Sequence, residues 1–206
     1  MNNNYIIDIK LGYEMMDFTI TDSKLDLSES FDLLSIYPVK IEVLETNGEE
    51  ESEKKLVATI IGYYFDLDYM RDENISLFEI FDGINQNIYD MYVALFDKEE
   101  YRNEFEVINE NLFYLDTIVV EEDYRRNGYC KMLVEQLYEI LRYIAKLNIG
   151  VIATSIYQYE TNDNFDSIDN ISQEEKEKIN KSLINLFKKN NYKETSKDDT
   201  YLVRIF

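Results

Sequence analysis

Apolar residues recur along this chain in two rhythms, and each change of rhythm marks a new element. Dense runs of β-branched and aromatic residues fall at Tyr5–Ile9, Val39–Leu44 (VKIEVL) and Leu56–Phe65 (LVATIIGYYF), and such runs predict strands. Asn47-Gly48 and the acidic stretch EEESEKK join the last two, which predicts an antiparallel hairpin with a long, solvated tip. Phe113–Val120 (FYLDTIVV) and Ile149–Ile156 (IGVIATSI) are apolar on both faces, so they are expected at the centre of a sheet. Tyr201–Phe206 (YLVRIF) reads as a closing strand.

Helical spacing alternates with these runs. Ile84, Ile88, Tyr92 and Leu95 predict a helix over Ile84–Phe96, and Leu27–Leu34 predicts an earlier one. Ile75–Phe81 fits either a strand or the start of a helix. A helix from Cys130 is expected to bury Leu133, Leu137, Ile140, Leu141 and Ile144. Ser172 and Glu175 have the spacing of a capping box, opening a helix that runs to about Lys189 and buries Ile179, Leu183, Leu186 and Phe187. The order of elements predicts a mixed α/β (α+β) layer architecture. No proline- or glycine-rich linker divides the 206 residues, whose one proline is Pro38, so one domain over 1–206 is expected.

Charge narrows the partners. With 42 acidic against 21 basic residues the net charge is −21, which repels a phosphate backbone and argues against nucleic-acid binding through a broad basic face. A cationic acceptor, an amine or a basic protein segment, is attracted instead; a solvated face that serves solubility is the plainer alternative for this charge. No apolar run approaches the ~18 residues of a membrane span. MNNNYIIDIK has no signal-peptide pattern, and the expectation is a cytoplasmic protein. A lone cysteine, Cys130, forms no internal disulfide. The chain has no histidine, which excludes Ser-His-Asp and Cys-His catalysis, histidine-ligated zinc and any imidazole base. Proton transfer falls to Asp, Glu, Tyr, Lys, Cys, a terminus or water.

Against this acidic background VVEEDYRRNGYC, Val119–Cys130, stands out. It joins a predicted strand to a predicted helix and gathers Arg125, Arg126, Asn127 and Gly128, with Tyr129, Cys130 and Lys131 opening the helix. Unsatisfied amides and the positive end of the macrodipole make a helix start an anion site when the backbone before it is open enough for close approach. A pyrophosphate fits; a helix start with surface arginines is the plain alternative. The Walker pattern GxxxxGK[ST] and the dinucleotide pattern GxGxxG are both absent.

The run LDTIVVEEDYRRNGYCKMLVEQL resembles the cofactor motif of the GNAT superfamily of acyl-CoA-dependent N-acyltransferases, a strand followed by [RQ]-x-x-G-x-[GA] entering a helix. Arg125, Gly128 and Cys130 stand at its three specified positions, cysteine replacing glycine or alanine. Downstream, NKSLINLFKKNNYKE is similar to the family's N-x-x-A-x-x-L-Y-x-x-x-G-F. Asn180 and Leu186 match, while Leu183, Asn191 and Tyr192 depart, and Phe187 stands where many members carry a tyrosine proposed as general acid.

The resemblance implies a mostly antiparallel sheet flanked by helices. It is splayed by a bulge ending the Phe113–Val120 strand, with a cofactor core over about 112–192 and a variable acceptor side over about 1–111. It implies acetyl-CoA as acyl donor and an amine as acceptor, in a monomer or homodimer. Backbone groups of Ile118, Val119 and Val120 are expected along the pantetheine arm. Arg125, Arg126, Asn127, Gly128, Tyr129, Cys130 and Lys131 are expected at the pyrophosphate, and Asn180 and Phe187 on the cofactor's other side. Val120 is expected to donate its amide to the oxyanion. Asp116 is the candidate base on strand parity with Ile118 and Val120, a parity that Tyr114 shares; a structural carboxylate is the alternative. Asp82 is a candidate on the acceptor side, and Tyr157 and Tyr159 are candidates for the missing acid. A fold kept for partner binding without catalysis is the alternative function.

Overall fold

The computed structural model describes residues 4–11, 36–46, 54–107, 111–155, 173–196 and 200–206. The expected helix at Leu27–Leu34, the hairpin tip, the Ser172 capping box, Tyr157 and Tyr159 lie outside the described residues. The first half supplies strands β1 (Asn4–Leu11), β2 (Ile36–Thr46) and β3 (Lys55–Phe65), then helices α1 (Leu67–Asp72), α2 (Leu77–Ile84) and α3 (Gln86–Leu95). Two short strands, β4 (Phe96–Asp97) and β5 (Glu100–Tyr101), form a separate ribbon. The second half supplies β6 (Leu112–Val120), α4 (Tyr129–Glu139), β7 (Val151–Ser155), α5 (Gln173–Lys189), β8 (Lys193–Glu194) and β9 (Tyr201–Ile205).

Seven strands make one sheet in the order β1-β2-β3-β6-β7-β9-β8. Only β6 and β7 run parallel; every other neighbouring pair is antiparallel. The two runs apolar on both faces, β6 and β7, sit inside the sheet as their pattern requires. One face packs Ile41, Ile60, Phe113 and Leu115 against Leu133, Leu137 and Leu141 of the α4 segment and Phe187 of α5. The other packs Phe65, Leu112, Tyr114, Val151 and Ala153 against Leu67, Phe81, Ile88 and Met91 of α1 to α3. No described helix is long and apolar enough to cross a membrane.

Local chemistry sets the helix ends. Ile75–Phe81 resolves as helical, because Ser76 Oγ accepts the Glu79 amide at 3.4 Å and opens α2. The helix expected from Ile84 starts at Gln86: Asn85 is extended, with φ −166°, and its Oδ1 accepts the Ile88 amide at 3.0 Å. Ile144 corrects the expected buried stripe. Residues 140–144 form a π-turn, closed by the Ala145 amide on the Ile140 carbonyl at 3.0 Å, and the extra residue per turn rotates Ile144 out to 51% exposure.

Candidate functional site

A fork in the sheet defines the site. β6 and β7 pair only from Leu112↔Val151 to Leu115↔Thr154. At that last pair the buried Thr154 hydroxyl donates to the Leu115 carbonyl at 3.0 Å. Beyond it β7 is paired only with β9, while β6 runs five residues further along β3 alone.

The bulge lies inside β6, not at its end as expected. Ile61 pairs with Thr117 and Gly62 with Leu115, so Asp116 has no opposite residue on β3. An extra residue reverses side-chain parity from that point on. Phe113 and Leu115 belong to the α4–α5 face, and after the bulge Ile118 and Val120 pack on that same face. Tyr114 lies on the opposite face, among α1 to α3, so it does not share the parity of Ile118 and Val120.

The bulge also sets which backbone groups reach the fork. The Glu121 amide donates to the Val57 carbonyl at 2.9 Å, in register with Ala58↔Val120 and Thr59↔Val119. Alternate residues of an antiparallel pair bond to the partner strand, so Val119 and Thr117 face β3. Ile118 and Val120 turn their amides and carbonyls to the open edge. Val119, expected with them, has its backbone committed to Thr59 and is not an edge contact.

Asp116 is half-buried, and the Thr117 hydroxyl donates to its Oδ2 at 3.1 Å. Burial raises its carboxyl above the ordinary value, opposed in part by that hydrogen bond. Tyr63 and Tyr114 face each other across β3 and β6, and both feel the Asp116 charge. Each phenol is held above its ordinary value, by burial first and then by the carboxylate. Asp116 therefore belongs with these two tyrosines, and the parity expected between it and Ile118 and Val120 does not hold, because the bulge at Asp116 sends those two to the opposite face. Asp82 does not join the tyrosines: it is exposed on α2, turned away from that helix's buried Leu77, Ile80 and Phe81.

At the end of β6 the chain tightens through a 3-10 turn over Glu122–Tyr124 and enters α4. Arg125 folds back, its Nε donating to the Val120 carbonyl at 3.0 Å. Arg126 has φ +64° and Gly128 φ +86°. The first bond of the helix is Met132 amide to Gly128 carbonyl at 3.0 Å, so the amides of Tyr129, Cys130 and Lys131 precede the helical ladder. The N-cap residue, Gly128, supplies no side-chain cap, and a Cβ built on it would meet nothing within 4 Å. Arg125, Arg126, Asn127, Gly128 and Lys131 are all exposed around this open space. The turn is pinned from behind, where the Tyr124 hydroxyl donates to Glu45 Oε2 at 2.6 Å and its ring meets Tyr129 edge-on. Burial pushes the Cys130 thiol above its ordinary value and so disfavours the thiolate.

On α5, Asn180 has a buried side-chain oxygen with no hydrogen-bond partner among the described residues. Such an atom is costly unless something donates to it. Phe187 corrects an expectation: at 4% exposure it is a core residue, packed edge-on against Tyr192 at 5.0 Å, with no free face for a ligand. Thr154, Gly62 and Tyr63 were not singled out in the sequence, because their parts in the fork depend on cross-strand register.

The acetyltransferase (GNAT) family model matches residues 51–151, a span that contains β3, the bulged strand, the arginine-glycine turn and α4. No curated protein and no solved structure matches the chain.

Proposed function

Because this chain belongs to the GNAT acetyltransferase family, we propose that it is an N-acyltransferase, moving acetyl from acetyl-CoA to a primary amine of a small molecule or protein. The observation that carries this reading is continuity: the strand edge at the fork leads through the arginine-glycine turn to the open start of α4. A groove of backbone donors and acceptors ending at an anion site suits a pantetheine arm ending in a pyrophosphate. The orphaned Asn180 oxygen supports it from the other side.

The donor, when bound, supplies an acyl thioester with a thiolate leaving group. Ile118 and Val120 pair with the arm as one more strand edge pairs. The amides of Tyr129, Cys130 and Lys131, with Arg125 and Arg126 and the backbone of Asn127 and Gly128, hold the pyrophosphate. The Val120 amide, at the open edge, meets the developing oxyanion. Asp116 takes the proton from the attacking amine, and its raised pKa brings it closer to neutrality and makes it the stronger base. Since Asp116 groups with Tyr63 and Tyr114, the acceptor approaches from the α1–α3 face. We read 1–206 as one domain of this kind, a cytoplasmic monomer or homodimer without a nucleic-acid or membrane partner.

Titration calorimetry with acetyl-CoA, followed by thiol release against a panel of amines, tests the proposal. Micromolar binding and amine-dependent release support it; absence of binding overturns it. A second reading, a fold retained for partner binding, is favoured by Phe187, whose buried ring offers no proton at the position that the family resemblance assigns to a tyrosine. Binding without transfer to any amine supports that reading.

A further inference from the structure

On the sheet face that packs α1 to α3, the half-buried Asp116 carboxylate lacks the partner that such a group ordinarily has. Among the described residues it accepts one hydrogen bond, from the Thr117 hydroxyl, and no lysine or arginine pairs with it. A carboxylate withdrawn from water without a cation is costly. Tyr63 and Tyr114, opposite each other on β3 and β6, both lie close enough to feel its charge. Tyr114 is 1% exposed, and neither phenol makes a hydrogen bond among the described residues. Tyr201, near Tyr114 on the same face, shows the contrast: its hydroxyl donates to the Asn87 carbonyl at 2.9 Å. Lys40 does not relieve Asp116 either. It stands opposite Ile61, itself opposite Thr117, and is held by Glu42 at 2.6 Å.

Three oxygen-bearing groups, one of them charged, thus gather without a cation among them. A primary ammonium brings three N–H donors and one positive charge, which matches this set in number and in sign. We propose that Asp116, Tyr63 and Tyr114 form the acceptor's ammonium site, and that the acceptor is an alkylamine with no carboxylate or phosphate beside its amine. The inference rests on the N-acyltransferase reading above and names its substrate class. The exclusion follows from sign: an anionic group next to the amine is brought against Asp116, with no cation among the described residues to receive it. An α-amino acid is therefore a poor acceptor, whereas the end amine of a diamine or of a lysine side chain suits the site. The net charge of −21 adds a long-range attraction for such cations.

Thiol release from acetyl-CoA by the full chain tests this by comparing pentylamine with norleucine, which is the same amine bearing an α-carboxylate. Norleucine is the less basic and holds more of its free amine, so basicity alone favours it. The expected result is a kcat/KM at least roughly tenfold higher for pentylamine. At least one of cadaverine and Nα-acetyl-lysine methylamide should outpace norleucine, and the faster one identifies the source of the amine. Tyr63→Phe and Tyr114→Phe should each raise KM for pentylamine roughly three- to tenfold, more than they lower kcat. Their melting temperatures should be unchanged, since neither phenol has a hydrogen-bond partner among the described residues. Norleucine matching pentylamine overturns the proposal, as do unaltered KM values in both phenylalanine variants. Binding titrations of the two amines to the chain saturated with coenzyme A read the site without chemistry. Pentylamine bound more tightly than norleucine, with transfer to no amine, overturns the acyltransfer reading and supports the ammonium site. Binding of neither amine overturns the site itself.

Discussion

Phe113 on β6 occupies the space over Gly62 on β3: a Cβ built at Gly62 would stand 2.4 Å from the Phe113 Cζ and 2.4 Å from the Tyr114 carbonyl oxygen. Glycine is usually a weakness in a strand, and alanine usually strengthens it by restricting the unfolded chain. Here the sign reverses, because one of the two clashing atoms is backbone and cannot swing away. Gly62→Ala should lose about 2 kcal/mol of stability in a urea titration, within the range for overpacked cores. Since Gly62 pairs with the residue just before the bulge, transfer activity should fall as well. An alanine variant as stable as the parent would show that Phe113 and β6 yield freely.

Gly128 separates conformation from space. Its φ of +86° penalises most side chains, while the volume beside it is open. Asparagine tolerates this region, so Gly128→Asn should keep stability within about 1 kcal/mol while its side chain fills the cradle. Affinity for acetyl-CoA should drop roughly tenfold or more, by calorimetry. Unaltered affinity would place the pyrophosphate elsewhere. Gly128→Val should lose stability as well as affinity, because a β-branched residue is strained there.

Arg125 ties the turn to the strand through its bond to the Val120 carbonyl and brings a cation to the helix start. Arg125→Glu removes the tie and reverses the charge. Acetyl-CoA should bind at least roughly tenfold more weakly, and added salt should narrow the gap. Arg125→Lys should recover part of the loss, through charge without the planar donor. Equal affinities for parent and Glu variant would reduce the turn to a helix start.

Asp116 makes two predictions of opposite sense. Asp116→Asn keeps the shape and removes the base, so turnover should fall about 10²-fold with little change in acetyl-CoA affinity. Partial recovery is expected at high pH, where free amine is abundant. Stability should move the other way. Burial raises the carboxyl's pKa in the folded chain, so the folded state keeps its proton to higher pH than the unfolded state. The parent therefore loses stability as pH rises from the unfolded value through the folded one, and the deficit persists above it. The asparagine variant should melt higher at neutral pH, the difference closing below the ordinary carboxylate range. Normal turnover with a lower melting temperature would make Asp116 a structural carboxylate.

Much of the fold was legible because strands and helices write their periods locally. The double-sided apolarity of FYLDTIVV and IGVIATSI put both strands inside the sheet. The arginine-glycine turn announced the start of α4 to within one residue, since glycine at positive φ and a following amphipathic stripe are local requirements. Asn85 as a break between α2 and α3 was harder to see, because the apolar spacing continues across it and only its capping bond ends the rhythm.

What tertiary structure alone decided was parity. A bulge is a mismatch of count between two strands distant in the chain, and nothing within Phe113–Val120 states that Gly62 and Ile61 will oppose Leu115 and Thr117, skipping Asp116. That one skipped residue sends Tyr114 to the α1–α3 face and Ile118 and Val120 to the other, and turns the backbone of Val120, not Val119, toward the fork. The π-turn moved Ile144 out of its stripe for the same reason. The sequence sets residue types and their local period, but a period predicts a face only while the count stays unbroken, and insertions in that count are settled by the strands and helices against which each element packs.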